Sequence, residues 1–568
     1  MKLSALVDFP DDAGIAVYNP QMIDSMIRQL SDAGISRMYI QYYGNREHGG
    51  EMDCETPGQH AENCKKTALN MPNFSRIFVE TAKRYGMETA AVMRPQEQGI
   101  WPVYSPYYTD GIRSGVPHLG GQILTVTKFL NEHPDLRIKR RSWDIDSDAV
   151  NKSIGSIKLY KQNDVPTRIK KENITIYTSD DNSYYKPYEK DFSLTSSFET
   201  AEETVLLAGH SVDYENTKLL TLKGSRIQVL TLGNLEIKEP FVAIGVRCSG
   251  TCEETQRFVN TSVNGIACFD PEGNKICATP GGTQRGTRFG KPFLDAGFNF
   301  DDGFGVFSAQ ILDPDDKEGY IAIAKGKNEY VHGALCECEP AVREYWLSLL
   351  ECALEDGYDF FGNRIENHAV HVDEPFAYGY NDCIKEEYFR RYGECSEQEM
   401  ELDKIARIRG DAYTELFVEA ARRVRARGKK VFLTLNIEML QDPIPICRRI
   451  AYPMNVEWQW ERWLEEIQPD EINFRMYQNT PKFLLTNPQC VHMLEVAKSY
   501  GVPMTVERYV YWDFMADYEL LQNTGLFSRM TLYETANVLV GDENGNVVLT
   551  QKGEEVLPRL AEMIKKNE

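Results

Sequence analysis

The chain has 568 residues, 42% of them hydrophobic, which is enough for two or three well-buried cores. Its formal net charge of −22 argues against nucleic acid or an anionic membrane as a partner. No run approaches the ~18 apolar residues of a membrane span, and the N-terminus MKLSALVDFP lacks the features of a signal peptide.

The first part of the chain, residues 1–143, alternates strands and helices. Strands are predicted at 3–8, 37–43 and 88–94, and the first helix is predicted to begin at Asn19-Pro20 and to end at Gly34. Residues 144–325 change in character, because short β-rich runs such as SIGSIKLYK, NITIYTS, RIQVLTL and FVAIGVRC are separated by turn residues. Many short strands at this spacing predict a β-sandwich or jelly roll.

Helices return in residues 326–534. A helix is predicted from Pro340 to Glu355, and strands near 359–366, 430–437, 471–476, 503–508 and 529–534. The final part, 535–568, is predicted to form a strand pair (VLVGDENGNVVL) and a helix.

One local pattern recurs along both α/β parts: a helix, a glycine, and a short apolar strand that ends in polar residues. It reads EDGYDFFGNRIENH around Glu366 and SYGVPMTVERYVYW around Glu507. Glycine supplies the left-handed residue that ends a helix, and repeated alternation predicts a parallel sheet. Three strands before the β-rich block and five after it make eight. The sequence therefore predicts a (β/α)8 TIM barrel with an all-β sandwich inserted after barrel strand 3. An open α/β domain in two unrelated halves is the alternative.

Polar residues occupy the last inward-facing position of every predicted barrel strand, where barrel enzymes carry their active sites. These residues are Asp8, Tyr42 or Tyr43, Arg94, Arg364, Glu366, Asn436, Glu438, Asn473, Arg475, Glu507 and Glu534. A set of salt bridges at the barrel mouth is the simpler interpretation.

Two of these residues suit glycosidic bond cleavage, which needs one carboxyl group to protonate the leaving oxygen and a second to attack the sugar or activate water. Glu366 and Glu507 end strands 4 and 7 and can flank a bound sugar. This arrangement resembles the large retaining-glycosidase clan with catalytic glutamates on these strands. The clan usually has Asn directly before the strand-4 glutamate, whereas Ile365 precedes Glu366 here.

A longer resemblance covers the barrel. Segments YDFFGNRIENHAVHVDEPFAYGYNDCIKEEYFRRYG (358–393), LNEHPDLRIK (130–139) and EPAVREYWLSLLECALEDGYDFF (339–361) resemble bacterial glycosyl-hydrolase-like proteins related to the family-10-like barrel group. The resemblance implies a glycan-active enzyme with a carbohydrate substrate, but does not identify the sugar.

The loop after strand 4 carries His368, His371, Asp373 and Glu374, which could orient substrate or chelate a metal. The metal reading defines an alternative function, a metal-dependent barrel isomerase or lyase. The favoured interpretation is substrate binding, without a metal or other cofactor. Trp512, after strand 7, is a further candidate for substrate binding.

Arg94, Arg364 and Arg475 at the predicted mouth allow two interpretations. Guanidinium groups bind carboxylates bidentately, which would suit an acidic sugar. Alternatively, each arginine neutralises a carboxylate of the rim.

A second catalytic pair is Asp8 with His133, in Glu132-His133-Pro134. It is similar to an inverting sialidase family that uses a barrel Asp with a His. A structural role for His133 is the simpler interpretation. A glycan-binding protein with a degenerate barrel is the remaining alternative. The inserted β region could bind glycan, shape the mouth or mediate homo-oligomers.

Thirteen scattered cysteines without an export signal predict free thiols and a cytoplasmic protein. Cys336-x-Cys338 and Cys248-x3-Cys252 lack second halves, so no zinc site is predicted. The combined prediction is a cytoplasmic glycoside hydrolase acting on a short oligosaccharide, acidic in one interpretation.

Overall fold

The protein is described from a computed structural model. It describes residues 1–42, 59–95, 99–100, 125–126, 128–145, 147–161, 164, 166–167, 169–180, 186–201, 206–209, 218–221, 224–247, 265–280, 282–288, 291–298, 307–310, 318–325, 329–365, 375–440, 455–476, 479–510, 513–542 and 544–567.

Eight parallel strands close into a barrel in chain order, so the predicted TIM barrel is confirmed. The strands are β1 (Lys2–Val7), β2 (Ile35–Tyr42), β3 (Glu88–Met93), β4 (Phe360–Asn363), β5 (Lys430–Asn436), β6 (Glu471–Met476), β7 (Met504–Tyr509) and β8 (Arg529–Tyr533). The first and last strands are hydrogen-bonded neighbours, with Leu3 opposite Met530. This closure excludes the alternative of two unrelated open halves.

Helices connect the strands and cover the outside of the barrel. They are α1 (Pro20–Asp32), α2 (Phe74–Arg84), α3 (Pro340–Asp356), α4 (Leu402–Ala426), α5 (Trp460–Ile467), α6 (Pro488–Ser499), α7 (Phe514–Thr524) and α8 (Gln551–Asn567). Further helices are Phe9–Ile15, Gln59–Asn70, Lys128–Glu132, Ser147–Asn151, Asp382–Tyr392 and Pro481–Thr486. The apolar faces of the helices and the outward faces of the strands share one large hydrophobic cluster.

The local signals read from the sequence act as predicted. Asn19 caps α1 by accepting a hydrogen bond from the backbone N–H of Met22, and Pro20 follows as the first helical residue. The glycines of the recurring pattern have φ between +68° and +91°. These glycines are Gly34, Gly86, Gly357, Gly428 and Gly501. The prediction that α1 is the first helix was wrong, because Phe9–Ile15 already forms one.

Between β3 and β4 lie two sheets of five and nine strands, antiparallel except for one parallel pair in the larger sheet, which confirms an additional β region at this point of the chain. The five-stranded sheet runs in the order Ser193–Thr200, Arg226–Gly233, Ser156–Tyr160, Gly265–Phe269 and Lys275–Pro280. The nine-stranded sheet runs in the order Lys218–Thr221, Leu206–Gly209, Gly282–Arg288, Lys291–Phe298, Phe307–Gln310, Glu318–Ala324, Phe241–Arg247, Ile174–Ser179 and Lys186–Pro187. Side chains from both sheets share a second hydrophobic cluster, which includes Leu159 and Ile244.

A short antiparallel ladder joins the two chain crossings between the barrel and this β region. The entering strand is Arg137–Lys139 and the exiting strand is Tyr330–Leu335. The side chain of Asn381 accepts a hydrogen bond from the backbone N–H of Lys139 and donates one to the carbonyl of Arg137. The segment after β4 is therefore tied to the same ladder.

The C-terminal part pairs Leu539–Gly541 with Val547–Leu549 and ends in α8. Across the ranges given above, no helix combines the length and apolar character required to cross a bilayer.

Candidate active site

The inside of the barrel is apolar in its middle and polar at both ends. Its middle is filled by a cluster of small, aromatic and aliphatic side chains. These are Leu6, Tyr39, Ala90, Val92, Phe360, Phe432, Tyr509 and Tyr533. Polar side chains follow toward the carboxyl ends of the strands, where (β/α)8 enzymes carry out chemistry.

Among the carboxylates described at this end, Glu507 on β7 is the most enclosed, with 1% of its surface exposed. Asn473 on the neighbouring β6 donates a hydrogen bond of 2.5 Å to its Oε1. Two guanidinium groups approach its Oε2, that of Arg364 at 3.4 Å and that of Arg475 at 3.7 Å. A buried carboxylate needs such partners, so Glu507 is anchored from strands on both sides of the barrel.

Tyr533 at the end of β8 contacts both arginines. Arg364 donates a hydrogen bond of 3.0 Å to the Tyr533 hydroxyl, and the centre of the Arg475 guanidinium lies 4.5 Å from the ring centroid. The combination of an ion pair and a cation–π contact fixes the guanidinium planes. The orientation of Glu507 therefore depends on β4, β6 and β8 together.

Glu534 follows directly after Tyr533 in an unusual backbone conformation, with φ +61° and ψ +95°. Its carboxylate accepts hydrogen bonds from the Tyr509 hydroxyl at 2.9 Å and from the Asn537 amide at 3.1 Å. A non-glycine residue with positive φ is strained, and strain of this kind is concentrated at functional sites. Glu534 is half-buried.

A second polar cluster, which contains the carboxylate of Asp8, forms at the ends of β1, β2 and β3. Asp8 accepts hydrogen bonds from the Gln41 amide and, at 3.3 Å, from Arg94. Arg94 also donates to the Gln41 carbonyl oxygen at 2.5 Å. Asp8 is 8% exposed and Arg94 is 4% exposed.

The inward-facing residue near the end of β2 is Gln41. Of the two predicted candidates on this strand, Tyr42 faces the helices, and Tyr43 lies outside the described residues. Side chains alternate across a strand, so the inward position of Gln41 turns Tyr42 toward the helices. There its ring lies 6.3 Å from that of Tyr358. Burial raises the pKa of Tyr42 above its usual value, and the negative charge of Asp356 adds to this effect.

His133 lies outside the barrel. It is exposed, at the start of the short turn Pro134–Leu136, and its ring contacts Phe129 at 4.6 Å between centroids. Phe129 stacks in turn on Tyr345 of α3 at 3.9 Å. Asp8 belongs to the Gln41 and Arg94 cluster inside the barrel, so the two residues of this predicted pair lie in different layers.

Several predicted residues lie outside the described residues. They are Glu366, His368, His371, Asp373, Glu374 and Trp512. Glu438 belongs to the turn Ile437–Leu440, which directly follows β5, but its side chain is not described. Asn436, the last residue of β5, is buried at the same end of the barrel.

Sequence reasoning missed Gln41 and Tyr533 as members of the site. The alternation rule would have identified both, because Gln41 lies two positions after the inward-facing Tyr39 and Tyr533 two positions after the inward-facing Thr531. Gln41 and Tyr533 carry no charge, so neither stands out in an apolar strand as a charged residue does.

The opposite end of the barrel provides a contrast. Arg37 on β2 and Glu471 on β6 form an ion pair of 2.7 Å across the barrel, with 5% of each side chain exposed. The Tyr39 hydroxyl donates to Glu471 at 2.7 Å, and the Arg37 guanidinium lies 4.0 Å from the Phe360 ring centroid. Burial lowers the pKa of Arg37, but Tyr39 and Glu471 outweigh this and raise it above its usual value.

The mouth can support carboxylate chemistry. Among the residues described there, the carboxylates Asp8, Glu507 and Glu534 are matched in number by Arg94, Arg364 and Arg475. Each arginine contacts Asp8 or Glu507. This geometry agrees with the interpretation in which the arginines neutralise the rim. The contacts of Glu507 suit a carboxylate that acts as an anion, as a nucleophile or a general base.

Comparisons with known proteins give no family assignment. No family model matches the chain, and no curated protein matches it. The resemblances drawn from sequence motifs therefore remain predictions.

Three solved structures show weak similarity to the chain. The glycoside hydrolase domain of PelA from Pseudomonas aeruginosa is 10% identical, with a TM-score of 0.20 over 36% of this chain and 64% of that one. A GH18 chitinase from Pseudoalteromonas aurantia is 10% identical, with a TM-score of 0.20 over 40% and 68% of the two chains. An isomaltulose synthase variant from Erwinia rhapontici is 8% identical, with a TM-score of 0.33 over 95% and 64%. The match covers less than two thirds of the first and third of these chains.

Proposed function

We propose that the protein is a glycoside hydrolase in which Glu507 acts as the nucleophile or general base. The observation that supports this most is a carboxylate at the catalytic end of a (β/α)8 barrel, held by an amide and two guanidinium groups. Glycoside hydrolysis needs a carboxylate that is oriented and ionised while a positive charge develops on the sugar ring.

The proposed reaction needs a second carboxyl group, which protonates the leaving oxygen. Glu366 is the proposed acid, since it lies in the segment that follows Arg364 at the end of β4. Arg364 itself contacts Glu507 at 3.4 Å, so the segment after β4 begins next to the proposed nucleophile. A separation of roughly 5–5.5 Å between the two carboxyl groups would favour a retaining enzyme, and roughly 6.5–9.5 Å an inverting one.

Asp8 is the alternative partner for Glu507, because it also lies at the carboxyl end of its strand. It is favoured over the pair of Asp8 with His133, since His133 is exposed on the helix side of the barrel. In either arrangement the proposed substrate is a short oligosaccharide. The described charges at the mouth balance, so they do not select an acidic sugar over a neutral one.

A panel of chromogenic glycosides that includes uronides and sialosides tests the proposal. We expect hydrolysis of at least one glycoside by the purified full chain, and NMR of the first-formed anomer gives the stereochemistry. Glycan binding detected by calorimetry without turnover of any glycoside would contradict the proposal and favour a binding protein with a degenerate barrel.

A further inference from the structure

Three cysteine thiols from two segments of the chain meet beside the ladder that joins the barrel to the β region. Cys336 and Cys338 directly follow the exiting strand, and the backbone N–H of Cys336 donates to the carbonyl of Leu136 at 2.8 Å. Cys383 comes from the first turn of the helix Asp382–Tyr392. In the part of the chain that the structure describes, these three thiols are free of disulfide bonds.

The thiol groups are close enough to share one ion. The sulfur atoms of Cys336 and Cys338 and a carboxylate oxygen of Glu337 lie within 4.8 Å of one another. The Cys383 thiol lies within hydrogen-bonding reach of both of the other thiols. Cys383 also donates a hydrogen bond of 3.2 Å to Oε1 of Glu339. The three thiols therefore neighbour one another, and the Glu339 carboxylate adjoins the Cys383 thiol.

Glu337 is already engaged by another partner. Both of its carboxylate oxygens accept hydrogen bonds from the guanidinium of Arg409, which also donates to the carbonyl of Asn455 at 3.0 Å. Glu337 and Arg409 are almost fully buried. Arg409 thus supplies a positive charge next to the thiols without competing for their sulfur atoms.

We propose that Cys336, Cys338, Cys383 and Glu339 bind a zinc ion in a closed, four-coordinate structural site. Thiolate and carboxylate are zinc ligands, and three sulfurs with one further donor complete a tetrahedron. Binding would replace three S–H bonds by three Zn–S bonds and release three protons to solvent, while Glu339 contributes an oxygen of its carboxylate.

The location indicates what such an ion does. It would connect the exit from the β region to the helix that follows the β4 loop, and Asn381 binds that same helix start to the entering strand. All four ligands come from the protein, so the site has no open position for a substrate. The ion would hold together two segments that meet next to the barrel, and this role is independent of the glycosidase proposal.

Metal analysis of the full chain tests the inference. The protein, equilibrated with Zn²⁺ and freed of excess ion, should retain about one zinc per chain by mass spectrometry. Co²⁺ in place of zinc should give thiolate-to-cobalt charge-transfer bands. Cys336→Ser and Cys383→Ser should each lower zinc retention at least about tenfold, whereas Cys395→Ser, a control on the same segment, should not.

The outcomes separate the possibilities without an activity assay. Absence of zinc and of the cobalt bands in the wild-type chain would overturn the inference even if the serine variants fail to fold. Full zinc retention in a folded Cys383→Ser variant would overturn it as well. So would a disulfide among the three cysteines, detected by mass spectrometry of the unreduced protein. None of these results bears on glycoside hydrolysis, which depends on Glu507.

Discussion

Replacing Glu471 by glutamine should destabilise the barrel strongly, although Glu471 lies at the end opposite to the proposed active site. Glu471 accepts two hydrogen bonds from Arg37 and one from Tyr39, all between 2.7 and 2.8 Å. The substitution keeps the size of the side chain but removes its charge. Arg37 then remains buried with Glu88 as its carboxylate partner.

The expected cost follows from burial. Breaking a buried ion pair by neutralising one partner costs about 3–5 kcal/mol, because the other charge stays in a poorly solvated site. Glu88 contacts the same arginine at 2.9 Å, but 45% of its side chain is exposed. Water screens that pair, so Glu88→Gln should cost only about 0–1 kcal/mol. The two substitutions have the same chemistry and share Arg37 as a partner, but Glu88 is exposed and also pairs with Arg529 at 3.1 Å.

Urea unfolding followed by tryptophan fluorescence measures both effects. Trp463 in α5 is 1% exposed and packs against Phe417, so its emission reports the loss of the helix layer around the barrel. Equal losses for Glu471→Gln and Glu88→Gln, or a loss below about 1 kcal/mol for Glu471→Gln, would refute the reasoning from burial.

Three further predictions concern the mouth and the strands below it. Arg364→Ala should lower kcat/KM for neutral and acidic glycosides alike, because its guanidinium contacts Glu507; a loss confined to acidic substrates would show instead that it binds the sugar. Gly362→Ala should cost about 1–3 kcal/mol in urea unfolding, because the added Cβ would overlap the Phe432 ring; unchanged stability would contradict this packing. Asn473→Asp would replace the amide that donates to Glu507 by a second carboxylate, and the two like charges would repel each other, so kcat/KM should fall about tenfold or more. Unchanged kcat/KM would show that Glu507 does not depend on this partner.

The barrel was predictable because its signals are local and repeated. Each helix that ends in a left-handed glycine is followed by an apolar strand, as at Gly357 before β4 and Gly501 before β7. The strand ends agree with the structure within a few residues. The short helix Phe9–Ile15 was not predicted, because its sequence contains Pro10 and two aspartates, which are typical of turns and loops.

The site was predictable only in part. Charged residues in apolar strands, such as Glu507 and Arg475, can be recognised from the sequence. Burying a charge is unfavourable unless it is paired, so such a residue indicates an ion pair or a functional site. Gln41 and Tyr533 can be recognised only when the direction of each side chain on its strand is known. On β2 the predicted direction was shifted by one residue, so Tyr42 was named as a candidate.

The thiol cluster could not be predicted from spacing. Cys383 lies 45 residues beyond Cys338 in the sequence and joins it only through the tertiary fold. A search for paired motifs along the chain therefore misses it.

The kinetics of Glu507→Gln, with Glu471→Gln as the matched control, test the central claim most directly. Both residues are buried carboxylates inside the same barrel that pair with arginine, at opposite ends. On a glycoside that the wild-type chain hydrolyses, and at a temperature where both variants are folded, Glu507→Gln should lower kcat by about 10³-fold or more. Glu471→Gln should change it by less than about threefold, since it makes no contact with the reacting sugar. Near-normal turnover by Glu507→Gln, or equal losses in the two variants, would contradict the assignment of Glu507 as the catalytic carboxylate.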